Sequence, residues 1–131
     1  MKREFQCAKD LMEQIPVFVD GLLTAREAVE IMRERQVDTL IIKKRNDREA
    51  YGIVGIQDLV RGVILPERAS EDVNVFELMT KPVITVPADM DVRYVARLLL
   101  QVDLWQAPVE ENGEYIGMIS LSTIIMKNEM F

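Results

Sequence analysis

A mixed α/β (α+β) fold, built from two copies of one βαββα unit, is what this sequence predicts, and three observations predict it. The chain repeats itself at a spacing of about 65 to 67 residues. Each copy holds an amphipathic helix that starts at a capping residue. After each helix come two short strand-like runs separated by a turn.

Taken in order, each copy opens on a helical turn that leads into an extended strand. Asp10-Leu11-Met12 precedes Pro16-Val17-Phe18 in the first copy, and Glu77-Leu78-Met79 precedes Pro82-Val83-Ile84 in the second. Thr24-Ala25-Arg26-Glu27 then forms a capping box, so a helix is expected behind Thr24. Its apolar stripe is Ala25, Ala28, Val29 and Met32, with Arg33, Glu34 and Arg35 mostly outside it. In the second copy Asp91 is the cap, and Val92, Val95, Ala96 and Leu99 make the stripe. Leu98, Leu100 and Val102 add apolar surface beyond that stripe, which calls for a second buried contact. The strand pairs run from Thr39-Leu40-Ile41-Ile42 to Tyr51-Gly52-Ile53-Val54 and from Ala107-Pro108-Val109 to Tyr115-Ile116-Gly117-Met118-Ile119. The first pair is joined by a long charged turn, Lys43 to Glu49, and the second by Glu111-Asn112-Gly113, whose Asn-Gly suits left-handed backbone. Short helices close the copies near Gln57-Asp58-Leu59 and Ser122-Thr123-Ile124.

The first motif with its helical lead-in is therefore placed at residues 1–64, a polar connection at 65–74, and the second motif at 75–131. A unit of about 60 residues buries too little surface to stand alone comfortably. The halves are accordingly expected to pack sheet to sheet as one module about a pseudo-two-fold axis, with a cleft on each side of it.

Composition removes several classes of function. At 131 residues the chain supports one core, and 49% hydrophobic with 29% charged residues is ordinary for a globular protein. Cys7 is the only cysteine, so neither an intramolecular disulfide nor a cysteine-built zinc site is expected, in keeping with a reducing cytoplasm. With no histidine, the commonest general base and metal ligand is missing. A catalyst would need Asp, Glu, Lys and Ser, which show no convergent spacing, so no enzyme and no metal is expected. A net charge of −6 argues against a nucleic-acid groove. Met1-Lys2-Arg3-Glu4-Phe5 lacks the apolar run of a signal peptide, and no run reaches membrane-span length, so a cytoplasmic protein without membrane attachment is expected.

Three segments carry a resemblance to a known family. Leu78-Met79-Thr80-Lys81-Pro82-Val83-Ile84-Thr85-Val86-Pro87 resembles the opening strand of a CBS motif, Gln106-Ala107-Pro108-Val109-Glu110 its middle strand, and Gly52-Ile53-Val54-Gly55-Ile56-Gln57-Asp58-Leu59 its last strand and helix start. Over nearly its whole length the chain looks like a tandem CBS pair, or Bateman module. The resemblance implies adenosine-type ligands (AMP, ADP, ATP or S-adenosylmethionine) in the inter-motif clefts, with no required cofactor. It also implies frequent homodimers and a regulatory role. No effector accompanies the two motifs in this sequence, so regulation of an unidentified partner protein in trans is one expectation.

The family's ribose and phosphate signature is a Gly, then a Ser or Thr three residues on, then an Asp or Asn after three more. This chain divides it. Gly52, Gly55 and Asp58 keep the carboxylate and lack the hydroxyl; Gly117, Ser120 and Thr123 keep the hydroxyl and lack the carboxylate. A carboxylate can accept from ribose hydroxyls, and a hydroxyl with helix-start amides can hold phosphate oxygens. Asp58 equally suits a helix N-cap, and Ser120 and Thr123 suit helix capping. Thr39 and Gln106 stand at equivalent places before the middle strands, where the family presents backbone to adenine; Val19 and Thr85 are read as equivalents that wall the pockets, or as ordinary strand packing. Arg61, one turn beyond Asp58, is a candidate for a phosphate or a solvated helix arginine, and Lys81 invites the same two readings. Lys43, Lys44, Arg45 and Arg48 read as a wet hairpin turn, and Trp105 as packing or base stacking. Met118, Met126 and Met130 with Ile124 and Ile125 form a soft apolar terminus that a second copy would cover. A ligand-free interaction or dimerisation module is the alternative to ligand sensing.

Overall fold

In chain order the elements are α1 (Ala8–Leu11), β1 (Phe18–Val19), α2 (Ala25–Arg35), β2 (Thr39–Ile42), β3 (Gly52–Gly55), α3 (Ile56–Leu59), β4 (Val86–Pro87), α4 (Val92–Gln101), β5 (Gln106–Glu111), β6 (Glu114–Ser120) and α5 (Leu121–Lys127). They come from a computed structural model that describes residues 6–131; the charged opening Met1-Lys2-Arg3-Glu4-Phe5, read above as no signal peptide, lies outside the described residues. Each repeat is βαββα, in an α/β architecture with two three-stranded sheets. In the first sheet β1 pairs in parallel with β2, and β2 pairs antiparallel with β3. In the second, β4, β5 and β6 repeat the pattern.

The helices begin where their caps require. The Thr24 hydroxyl accepts from the Glu27 N–H at 3.1 Å while the Glu27 carboxylate accepts from the Thr24 N–H at 3.1 Å. The Thr24 N–H, and then the Thr24 hydroxyl donating at 3.0 Å, hold the Glu27 carboxyl below its ordinary range. Ala25, Ala28 and Met32 are buried, and α2 ends at Gln36 in the left-handed conformation, φ 56°. The Asp91 carboxylate accepts from the Arg93 N–H at 2.9 Å, and α4 buries Val92, Val95 and Leu99. Leu100, expected to find a second buried contact, is exposed within the described chain.

The hairpins follow their turn chemistry. Asn112 (φ 53°) and Gly113 (φ 81°) are both left-handed and join β5 directly to β6. Two positive φ values in a two-residue loop match the right-handed twist of the flanking strands. All four residues of β2 are buried, which explains its unbroken apolar run, Leu40-Ile41-Ile42.

Contact within the chain groups residues 17–83 into one compact unit and residues 6–16 with 84–131 into the other. Each unit therefore holds the strands and helices of one repeat together with the lead-in of the other. In the first, Ile53 and Thr80 exchange N–H···O bonds at 2.9 Å, and Val75 N–H donates to Leu23 O at 2.8 Å. In the second, Glu13 and Met118 exchange bonds at 2.8 and 2.9 Å, and Ala8 N–H donates to Met90 O at 2.9 Å. The first core gathers Val19, Leu40, Ile42, Val54, Ala28 and Met32 with Val73 and Val75 from the later lead-in. The second gathers Val86, Val95, Leu99, Val109 and Ile119 with Ala8 and Leu11 from the earlier one. Val73, read as part of a polar connection, is fully buried.

Candidate functional site

The candidate ligand residues collect where the last strand of each repeat turns into its closing helix. In the first repeat Thr39 lies opposite Gly55 in the β2–β3 ladder. Gly55 is extended (φ −124°, ψ −178°) and caps α3, which continues without a break into wider helical turns over Val60–Ile64. Asp58 occupies the third position of α3, and its Oδ2 accepts from the Gly55 N–H at 2.8 Å. Asp58 is thus not the N-cap expected from its residue type: Gly55 has that position, and Asp58 reaches back to it. A Cβ built on Gly55 would meet the Asp38 carbonyl at 3.8 Å, the Thr39 hydroxyl at 3.8 Å and Asp58 Oδ2 at 3.9 Å. Thr39, Gly55 and Asp58 are therefore brought together around a space one small group wide. Arg61 stands beside them, its guanidinium 3.8 Å from Asp58 Oδ1, too long for a hydrogen bond and exposed enough for the attraction to be weak.

The second repeat holds the complementary half. Gln106 pairs with Ser120 in the β5–β6 ladder. The Ser120 hydroxyl caps α5 by accepting from the Thr123 N–H at 3.0 Å, and the two hydroxyls are 2.9 Å apart. A reciprocal capping box needs both a hydroxyl at the cap and a carboxylate three residues on. The first repeat keeps the carboxylate arm and the second the hydroxyl arm. The divided signature is therefore also a divided capping box, and the three-residue spacing was the signal for it.

Other candidates fall elsewhere. Val19 pairs with Ile42, at the opposite end of β2 from Thr39, and its side chain lies in the core. The strand registers also correct its supposed equivalence with Thr85: Val86 pairs with Val109 as Val19 pairs with Ile42, so the partner of Val19 is Val86 and that of Thr85 is Phe18. Two-residue strands leave too little pattern to fix such a register from sequence. The Thr85 hydroxyl donates to Glu110 at 3.4 Å. Lys81 pairs with Glu49 at 3.5 Å. Met118 and Ile124, read as part of an exposed terminus, are core residues; Ile125 and Met126 are the exposed ones.

Sequence reasoning missed what the first glycine of each signature does. A Cβ at Gly52 would lie 2.5 Å from the Met79 sulfur, and one at Gly117 would lie 2.6 Å from the Met12 sulfur. Both glycines admit the methionine of the other repeat's lead-in.

Duplicated βαββα units, each with its signature at the junction of last strand and closing helix, define a class: the tandem α/β repeat module. A family model for the CBS domain matches residues 8–64 and again residues 75–128, and the chain belongs to that family as a pair of repeats. Uncharacterized protein MK0525 of Methanopyrus kandleri is 32% identical over 103 residues, covering 78% of this chain and 52% of that protein. The chain spans about half the length of the curated relatives it matches. The hexameric CBS-CP12 protein from bloom-forming cyanobacteria superposes with a TM-score of 0.90 at 33% identity, over 96% of this chain and 74% of that one. The CBS domain pair of protein MJ0100, in complex with 5′-methylthioadenosine and S-adenosyl-L-methionine, shares the fold at a TM-score of 0.77 and 20% identity, over 94% and 95% of the two chains. Among the described residues no helix is long and apolar enough to cross a membrane.

Proposed function

We propose that this CBS pair senses an adenosine-type ligand, AMP, ADP, ATP or S-adenosylmethionine, at the Thr39, Gly55 and Asp58 cluster and passes occupancy to a partner protein. The observation that carries this reading is the state of Asp58. One carboxylate oxygen is fixed by the Gly55 N–H at 2.8 Å, while among the described residues the other meets only Arg61 at 3.8 Å. A carboxylate held in place with an oxygen to spare is an acceptor for the hydroxyls of a ribose. The MJ0100 pair, with the same fold, holds two adenosyl ligands. In this reading the module catalyses nothing, requires no metal or cofactor, and works in the cytoplasm as a homodimer.

The test is thermal unfolding with AMP, ADP, ATP and S-adenosylmethionine offered in turn, on the natural chain and on Asp58→Ala. A ligand at about a hundred times its dissociation constant adds about 2.7 kcal/mol, a midpoint shift of several degrees. The expected result is a shift with at least one ligand that disappears in Asp58→Ala. One observation favours the alternative of a ligand-free interaction module: Asp58 and Ser120 already serve as helix-start hydrogen-bond partners. A folded protein that none of the four ligands shifts would count against these ligands and favour that alternative.

A further inference from the structure

We infer that the first-repeat site selects an adenosyl ligand without phosphates, uncharged or cationic, over AMP and ATP; this rests on the sensing function proposed above. The three atoms nearest the missing Gly55 side chain are all oxygens: the Asp38 carbonyl, the Thr39 hydroxyl and the Asp58 carboxylate. Two of these only accept hydrogen bonds, so the space invites donors and positive charge. The Gly55 N–H, a donor that a phosphate oxygen would want, is already taken by Asp58. The neighbouring cation, Arg61, is largely exposed and 3.8 Å from Asp58, so solvent weakens its pull on a phosphate as it weakens its pull on Asp58. In the second repeat a serine hydroxyl occupies the equivalent place, so the open space beside these oxygens belongs to the first repeat alone.

Thr39 is the second, independent pointer to a ligand. It is only 8% exposed, yet among the described residues no hydrogen bond engages its hydroxyl, and that oxygen is not sealed from solvent. Its donor and acceptor capacity is therefore open to water or to a ligand. A hydroxyl that both donates and accepts, aimed at an acceptor-lined space, matches a neutral polar group such as a ribose hydroxyl and has no preference for a phosphate.

The experiment is titration calorimetry of the full chain with adenosine, 5′-methylthioadenosine, S-adenosylmethionine, 2′-deoxyadenosine, AMP and ATP, repeated on Asp58→Asn and Gly55→Ser. Adenosine or one of the sulfur-bearing adenosyl ligands is expected to bind at least about tenfold more tightly than AMP, because a dianion close to Asp58 is repelled in a partly desolvated site. 2′-Deoxyadenosine is expected to bind at least about tenfold more weakly than adenosine, since a site built around a hydroxyl rejects the analogue without it. Asp58→Asn removes the charge and keeps an acceptor, so it should narrow the gap between S-adenosylmethionine and AMP. Gly55→Ser, whose Cβ meets only ordinary contacts, restores the missing hydroxyl and should favour AMP. AMP or ATP binding as tightly as adenosine in the natural chain overturns the selectivity and leaves sensing intact. No binding of any of the six by folded protein overturns sensing itself.

Discussion

Glu49 closes the long first hairpin by gathering charge from two directions. The Arg45 guanidinium donates to it at 2.6 Å, the Arg45 backbone N–H at 3.2 Å, and the Lys81 ammonium lies 3.5 Å away. The hydrogen bonds from Arg45, foremost, hold the Glu49 carboxyl down from 4.5 to about 2. A depressed carboxyl stabilises the fold above its unfolded pKa and loses that contribution as pH falls toward the folded one. Arg45→Gln is therefore expected to be less stable than the natural chain at pH 6, with the difference fading between about pH 4.5 and 2. Carboxyl-carbon NMR titration should show Glu49 returning toward the ordinary carboxylate range in the variant; an unmoved Glu49 midpoint would remove Arg45 as the cause. At this scale the sequence was partly legible. It showed a charged turn at Lys43, Lys44, Arg45 and Arg48, but the pairing of Arg45 with Glu49 and the placing of Lys44 4.8 Å over the Tyr51 ring depend on a loop path that residue types do not encode. Ser120 was legible as a helix cap from its residue type, whereas the residue type of Asp58 suggests the cap itself, although its three-residue spacing from Gly55, a local hydrogen-bond rule, was the signal for the place it holds.

Each lead-in docks by one device, a methionine laid on a glycine of the other repeat's last strand. Gly52→Ala would place a methyl 2.5 Å from the Met79 sulfur and 3.3 Å from its Cβ, so rotating the side-chain tip relieves the sulfur contact but leaves the contact at Cβ tight. Overpacking of this kind costs about 1–3 kcal/mol. Gly52→Ala and Gly117→Ala are expected to destabilise by that amount in denaturant unfolding, and Met79→Ala combined with Gly52→Ala to recover part of the loss. Additive effects in that double variant would show that the pair does not touch. Helices, middle strands and hairpins were legible in the sequence because caps, stripes and the Asn-Gly turn are local signals. The exchange of lead-ins was not, because the contacts join residues such as Gly52 and Met79, or Met12 and Gly117, across the repeat boundary. A glycine in a strand does mark close approach of another group, which is the signal that was available.

Across the whole chain the two repeats keep one backbone plan and differ in what they show to solvent. At the repeat spacing, the exposed Glu27, Arg33 and Asp38 of the first copy become Tyr94, Leu100 and Trp105 in the second. Leu100 is 69% and Trp105 60% exposed, and Ile125 and Met126 on α5 are also exposed, with α4 and α5 in contact. The same scaffold positions thus carry charge where solvent is the neighbour and apolar groups where, on the proposed reading, a second copy is the neighbour. An apolar patch meets itself better than it meets the charged equivalent, so association through the second-repeat helices is expected. The sole tryptophan reports on it. In sedimentation at rising dilution the natural chain should fall from twice its 15.1 kDa mass to a single copy, with Trp105 emission shifting to longer wavelength as its ring returns to water. Leu100→Arg, which installs the kind of residue the first repeat carries at Arg33, should give the one-copy mass and the long-wavelength emission at every concentration while leaving thermal stability at low concentration near that of the natural chain. An unchanged two-copy mass in Leu100→Arg would place the interface on other surfaces and leave the apolar face of α4 without the role assigned to it.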